Sequence, residues 1–160
     1  MDIDERFDDD TPLKVIPFTF VKGSTIVAVY GMSYFTRHEI SEKLKDKSKW
    51  PNIFEPVKAG KNKKVIKILV LHQIQSTKTF DQLILFEKFN LVIWGQAPDP
   101  KFSQGSNCLH LQPGSATLRS INTKEAIPKS MWNVSINTDS IKVIPIKYQR
   151  SRIVHLGRVL

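Results

Sequence analysis

The sequence predicts an α/β fold. Two near-continuous aliphatic runs, Val65–Leu71 and Leu91–Trp94, have the composition of strands that are buried on both faces of a parallel sheet. Apolar residues on one side of Phe80–Phe89 predict a helix between them, and the order strand, helix, strand indicates a βαβ unit. A single cysteine, Cys108, excludes an internal disulfide framework and favours an intracellular protein. No apolar run approaches the roughly 18 residues that a membrane span requires.

The segments before the first buried strand predict a hairpin followed by a helix. Leu13–Phe20 and Thr25–Tyr30 are rich in β-branched and aromatic residues, and residues 22–24 supply turn chemistry between them. Thr36–Lys45 has apolar residues four positions apart, which predicts a short helix. Lys43–Lys49 is expected to be a solvated stretch that Trp50-Pro51 closes, because the residue before a proline is biased away from helix.

The remaining segments predict loops and short strands. Val57–Lys64 is expected to be an exposed loop, and the segment between Pro98 and Gly105 a second loop. Ser76–Thr79 is expected to begin the helix that precedes Leu91. Three further strands are expected over Cys108–Leu111, Trp132–Ile136 and Ile141–Ile146.

Charge is distributed unevenly along the chain of 160 residues. Residues 1–10 contain six of the 15 acidic residues and are expected to form an acidic, disordered tail. Residues 11–160 are expected to form one domain, and they carry 23 Lys and Arg against nine Asp and Glu. A basic domain of this kind suggests a polyanionic partner, and the alternative interpretation is a lysine-rich surface that maintains solubility.

Two strand ends are candidates for a functional site, because ligands of open α/β sheets bind at the carboxyl ends of the strands. The first aliphatic strand leads directly into His72, and the second leads into Gly95 and Gln96. A neutral imidazole at such a position is a natural metal ligand, although a single histidine is more often a polar residue of the strand end.

Four stretches, in order, support a resemblance to a known family. They are Lys14–Gly31, Ile66–Gln73 (IKILVLHQ), Phe89–Gly95 (FNLVIWG), and Gln112–Ser115 (QPGS) together with Glu125–Lys129 (EAIPK). They resemble the nuclease domain of the meiotic-recombination-eleven type DNA double-strand-break repair nuclease, a member of the calcineurin-like metallophosphoesterase superfamily. The resemblance covers the C-terminal half of that domain and implies a partial metallophosphoesterase-like β-sandwich with flanking helices.

The resemblance also implies which residues would bind metal. Family members are manganese-dependent nucleases, and His72 matches one of their metal ligands. Gln96 and Pro98 stand where the family has two further histidine ligands, and Ile74 stands where it has an asparagine. The family strings Asp-x-His and Gly-Asn-His-Asp do not occur in the sequence. One imidazole is too few donors for two divalent ions, so no catalytic residue and no cofactor is expected, and His72 is interpreted mainly as a strand-end residue.

The function expected from this resemblance is that of a degenerate, non-catalytic relative acting in DNA repair or recombination. Its partners would be DNA or repair-complex subunits, its location the nucleus, and no membrane would be involved. Two alternatives remain open: a truncated or split piece of an active manganese-dependent exo- or endonuclease, completed by a chain that covers the missing half-domain, and a protein-interaction module. The candidate phosphate-binding residues are Lys43, Lys45, Lys47, Lys49, Lys58, Lys61, Lys63, Lys64, Arg150 and Arg152.

Overall fold

The fold is organised around a six-stranded mixed sheet. The computed structural model describes residues 13–73, 88–105, 107–117 and 128–148. The strands of this sheet are β1 (Phe18–Lys22), β2 (Thr25–Met32), β3 (Lys64–Leu71), β4 (Leu91–Trp94), β5 (Lys101–Gln104) and β6 (Leu109–Gln112). Their order is β1-β2-β3-β4-β6-β5. The four inner strands run parallel, and β1 and β5 are antiparallel strands at the two edges, so the prediction of an α/β fold is confirmed.

The first two strands form the predicted hairpin, but its first strand begins at Phe18, not at Leu13, and extends to Lys22. Lys22 pairs with Thr25, which leaves the two-residue loop Gly23-Ser24 between the strands. Gly23 has a φ of +57°, a conformation that is accessible to glycine without steric cost and suits the first position of a tight hairpin turn. The turn therefore fixes the register of β1 on β2.

Helical structure connects β2 to β3. Helix α1 (Arg37–Lys45) begins with a capping box, in which Thr36 and Glu39 exchange side-chain to backbone hydrogen bonds of 3.3 and 2.6 Å. The expectation that Trp50, as the residue before a proline, lies outside helix is wrong. A 3₁₀ turn (Lys47–Lys49) is followed by α2 (Trp50–Ile53), because proline lacks only a backbone donor that the first turn of a helix does not use.

The two faces of the six-stranded sheet are covered differently. On one face, which we call the helical face, Ala28, Tyr30 and Trp94 pack with Leu44 of α1 and Ile53 of α2. On the opposite face, which we call the hairpin face, the inward side chains of a second sheet cover the core. That sheet consists of β7 (Ser130–Ile136) and β8 (Ile141–Lys147), the two strands expected near the end of the chain. The core residues of the hairpin face include Ile66, Ile68, Leu91, Leu111, Trp132, Val134 and Val143.

Strand β5 was not expected from the sequence, which predicts a loop between Pro98 and Gly105. All four residues of β5 are exposed, so the strand lacks the apolar alternation by which a half-buried strand is recognised. The expected acidic tail 1–10, the expected helix start at Ser76–Thr79, Ile74 and most of Phe80–Phe89 lie outside the described residues. No helix in the part of the chain that the structure describes is long and apolar enough to cross a bilayer.

Candidate functional site

The carboxyl edge of the sheet is where the parallel strands β2, β3, β4 and β6 end. His72 follows β3 directly, Gly95 and Gln96 follow β4, and the Pro113–Ser115 segment follows β6. The strand ends predicted to be functional are therefore neighbours, because β3 and β4 pair in parallel with Leu71 opposite Trp94. This is the position at which open α/β sheets bind ligands.

His72 lies at this edge with its side chain exposed to solvent. Its backbone N–H donates to the Met32 carbonyl at 3.3 Å, and its ring lies edge-on to Tyr34 with 6.3 Å between the ring centroids. Gly95 lies so close that a Cβ there would be 3.2 Å from Nδ1 of His72 and 3.1 Å from the carbonyl oxygen of Leu71. The imidazole therefore occupies space that the neighbouring strand leaves open only because residue 95 is glycine.

Two of the positions that the sequence resemblance matched to metal ligands, Gln96 and Pro98, have structural roles here. Gln96 has a φ of +68°, so it forms the bend at which the chain leaves β4. The Pro98 carbonyl accepts a hydrogen bond from the Ser115 backbone N–H at 3.1 Å. Gln73, beside the histidine, is buried, and its Nε2 donates to the Phe35 carbonyl at 2.7 Å.

A two-metal centre does not fit this set of side chains. Of the residues at the positions matched to family ligands, His72 has an imidazole, Gln96 a neutral amide and Pro98 no side-chain donor atom. Across residues 13–73, 88–105, 107–117 and 128–148, no group of three or more His, Cys, Asp or Glu is arranged to hold an ion.

Polar residues that are buried behind the edge connect β6 to β7. Gln112 is fully buried, and its Nε2 donates to the Asp99 carbonyl at 2.6 Å. Lys129 is buried just before β7, and its Nζ lies 2.9 Å from Oγ of Ser115. The indole N–H of Trp132 donates to the Pro113 carbonyl at 3.1 Å. The lysine of the EAIPK stretch, Lys129, is thus in contact with Ser115 of the motif Gln112–Ser115. Together these hydrogen bonds join the segment after β6 to the loop after β4 and to the start of β7.

The buried histidine and cysteine of this sheet belong to the core of the helical face. The indole N–H of Trp94 donates to Nδ1 of His110 at 3.1 Å, and the two rings stack with 6.1 Å between centroids. Burial lowers the pKa of His110. Burial raises the pKa of the Cys108 thiol to about 12, so the sulfur remains protonated and unreactive at neutral pH.

The predicted phosphate-binding residues fall into two groups on different elements. Lys43 and Lys45 belong to α1, and Lys47 and Lys49 to the 3₁₀ turn after it. Nζ of Lys49 lies 3.9 Å from a carboxylate oxygen of Asp46, so part of the charge of this group is balanced locally. Arg150 and Arg152 lie outside the described residues.

The second group lies at the opposite end of the sheet, which we call the amino edge because the parallel strands begin there. Lys61 and Lys63 flank Asn62 in a turn that the Lys63 N–H closes by donating to the Gly60 carbonyl at 3.2 Å. Asn62 has a φ of +72°, which asparagine tolerates better than most residues. Lys58 is exposed in the loop that precedes this turn.

Strand pairing adds Lys22 to the lysines of the amino edge, although the sequence pattern alone does not identify it as a candidate. Lys22 pairs with Thr25, and Thr25 pairs with Lys64, so the three residues form one row across β1, β2 and β3. Paired residues in a sheet project to the same face. Because neighbouring strands are about 4.8 Å apart, the Cα atoms of Lys22 and Lys64, which lie two strands apart, are about 10 Å from each other. The Lys64 N–H also donates to the Ser24 carbonyl at 2.9 Å, which joins the lysine turn to the β1–β2 turn.

The turn of the second sheet completes the amino edge. The hydroxyl oxygens of Thr138 and Thr25 are 3.0 Å apart, and Nζ of Lys64 lies 3.3 Å from a carboxylate oxygen of Asp139. Lys142 follows this turn in β8 and is exposed. The amino edge thus contains five exposed lysines from three separate segments, of which Lys64 pairs with Asp139. The five are Lys22, Lys61, Lys63, Lys64 and Lys142.

No protein-family model matches this sequence.

Proposed function

We propose that this chain is a non-catalytic relative of the double-strand-break repair nuclease and that it binds DNA through the amino-edge lysines. The observation that supports DNA binding is the row Lys22, Thr25 and Lys64, with the Lys61–Lys63 turn beside it. Turn and sheet geometry fix the relative backbone positions of these lysines, so their flexible side chains reach into one region of the surface. The nuclear location expected for the family belongs to the same proposal.

Lysine contacts to phosphates predict binding that depends on salt and not on base sequence. Each phosphate that a cation neutralises releases condensed counterions, so the logarithm of the binding constant falls with the logarithm of salt concentration by about 0.9 per contact on duplex DNA. Lysine provides a compact charge on a flexible stem and does not read base edges in the fixed geometry of arginine. We therefore expect weak discrimination between sequences.

Binding of a fluorescent DNA duplex, followed by anisotropy across a salt series, tests this function. The variant Lys61→Gln, Lys63→Gln, Lys64→Gln should weaken binding by about tenfold or more and reduce the salt slope by about two to three. The matched control, Lys14→Gln, Lys88→Gln, Lys101→Gln, removes the same charge from exposed lysines that are not candidate phosphate-binding residues. Equal losses in the two variants would show that net charge alone is responsible, and they would contradict an amino-edge site.

The non-catalytic part of the proposal has its own measurement. Incubation of radiolabelled DNA with the protein and manganese should leave the strands intact, because the positions of Gln96 and Pro98 provide no strong metal donors. Manganese should also leave the melting temperature unchanged. Cleavage that is lost in His72→Ala would instead establish the alternative of an active nuclease fragment.

A further inference from the structure

An exposed aromatic strip runs along β1 toward the amino-edge lysines. Phe18 and Phe20 are 67% and 55% exposed, although most phenyl rings in a folded protein are largely covered. Both pair with residues whose side chains lie in the core of the hairpin face, Val29 and Val27, so they project to that same face. Their ring centroids are 4.8 Å apart, with 68° between the ring planes.

The strip ends in a lysine. Lys22 is two residues beyond Phe20, and because side chains alternate along a strand, it lies on the same face as both phenyl rings. Lys22 and Lys64 lie on either side of Thr25 in one row across the sheet. Two exposed rings and two ammonium groups therefore share one face at one corner of the sheet.

We infer that this corner binds single-stranded nucleic acid by stacking bases on Phe18 and Phe20 while Lys22 and Lys64 contact phosphates. The inference rests on the proposed function and narrows its substrate class. Sheet-borne aromatic side chains stack unpaired bases in several nucleic-acid-binding modules, and cationic side chains along the same groove follow the backbone. The Cα atoms of Phe18 and Phe20 are about 6.7 Å apart along the strand. Their ring planes are inclined by 68°, so the two rings present differently oriented faces on which bases could stack.

The chemistry favours nucleic acid over a second protein molecule. An interface between proteins is depleted of lysine at its core, whereas the aromatic strip ends in lysine and adjoins a second one. A second copy of this chain would bring the same positive charges together, since the chain has a formal net charge of +9. The bases of a duplex are stacked on each other and cannot stack on phenyl rings, so the strip should distinguish single strands from duplexes.

The experiment compares an oligothymidine of about 15 nucleotides with a duplex of the same length, both followed by fluorescence anisotropy. The key variant is Phe18→Leu, Phe20→Leu, which keeps apolar side chains on the strand but removes the aromatic rings. We expect it to weaken single-strand binding by about tenfold or more and to leave duplex binding within about twofold. The variant Phe18→Tyr, Phe20→Tyr should retain single-strand binding, because the rings remain.

Phe102→Leu is the matched control, because Phe102 is also an exposed phenylalanine on an edge strand, 45% exposed on β5. It should leave both affinities unchanged. Melting temperatures of all variants identify any loss that is due to unfolding, and the tyrosine variant then decides whether the rings are required.

The outcomes separate this inference from the proposed function. Failure of the wild-type chain to bind either form of DNA would overturn both. Duplex binding that depends on Lys61, Lys63 and Lys64, without a single-strand preference and without an effect of the leucine variant, would overturn the aromatic strip alone. A concentration-dependent dimer of the wild-type chain that is lost in the leucine variant, together with unchanged DNA binding, would assign the exposed rings to self-association and would also overturn it.

Discussion

At Gly114 both the backbone conformation and the surroundings exclude a side chain. Its φ is +78°, and a Cβ would lie 2.8 Å from the Pro98 carbonyl oxygen and 3.0 Å from the Pro100 nitrogen. Both neighbours are backbone atoms of the loop that follows β4, so neither can turn aside as the tip of a flexible side chain can. Gly114 therefore sets how closely the ends of β4 and β6 approach.

Alanine substitutions at Gly114 and Gly23 separate the cost of a positive φ from the cost of a steric clash. Gly23 also has a positive φ, but no atom lies within 4 Å of the position that its Cβ would take. Gly23→Ala should lower the free energy of unfolding by about 1 kcal/mol, the cost of the left-handed conformation. Gly114→Ala adds a steric clash and should lower it by about 2–4 kcal/mol. Urea denaturation measures both values, and equal losses would show that the close approach at Gly114 has no energetic consequence.

His110 makes the stability of the protein depend on pH. Burial lowers the pKa of His110 from its ordinary value of 6.5, and Nδ1 must be unprotonated to accept the Trp94 hydrogen bond. Below pH 6.5 the unfolded chain therefore binds a proton that the folded chain does not, and stability falls with decreasing pH. Above that pH both states are neutral, and this contribution is constant.

We expect the free energy of unfolding to decrease as the pH falls from 7 to 5.5, with a slope of at most about 1.4 kcal/mol per pH unit from this group. In His110→Asn that slope should be reduced, even though the variant is less stable at every pH. Denaturation curves collected at several pH values measure the slope. An identical slope in the wild type and in His110→Asn would assign the pH dependence to other groups.

At the scale of elements, the sequence was most informative where burial is complete. Strands β3 and β4 are aliphatic because parallel strands in the middle of a sheet have two covered faces, and their existence could be predicted from Val65–Leu71 and Leu91–Trp94. Strand β5 pairs with β6 through its backbone while its four side chains stay exposed. Nothing in the residue pattern of β5 therefore distinguishes it from a loop.

The candidate interface illustrates a second limit of sequence reasoning. Lys61, Lys63 and Lys64 are adjacent in sequence and were predicted, but Lys22 lies about 40 residues away and became relevant only through strand register. The exposure of Phe18 and Phe20 could not be predicted from the sequence either, because aromatic residues in a strand ordinarily predict burial. Strand register, and the extent to which other elements cover each face of the sheet, are properties of the assembled structure. They could not be predicted from the residue pattern of a single sequence.

At the scale of the whole molecule, one carboxylate moderates the positive field of the amino edge. Asp139 lies 3.3 Å from Nζ of Lys64, and its side chain is 91% exposed. An exposed ion pair of this kind contributes little to folding stability. Its main effect is on the potential that an approaching polyanion meets, because it neutralises one lysine of the edge.

Asp139→Asn should therefore strengthen DNA binding by a few fold and steepen its salt dependence by up to about one unit, since Lys64 becomes available to a phosphate. The melting temperature should change little, because the lost pair is exposed. Anisotropy titrations at two salt concentrations test the first expectation. Weaker binding in Asp139→Asn would contradict the placement of Lys64 in the interface.

The strand order has a consequence for how the chain reaches this structure. The pairs β1–β2 and β7–β8 join neighbouring segments, whereas the parallel pair β2–β3 joins residues 39 positions apart, as Thr25 and Lys64 are. Bringing such distant segments together costs loop-closure entropy before any contact is formed. The two hairpins can therefore assemble early, and the slow event in folding should be the docking of β3 between β2 and β4, on which the lysine row also depends.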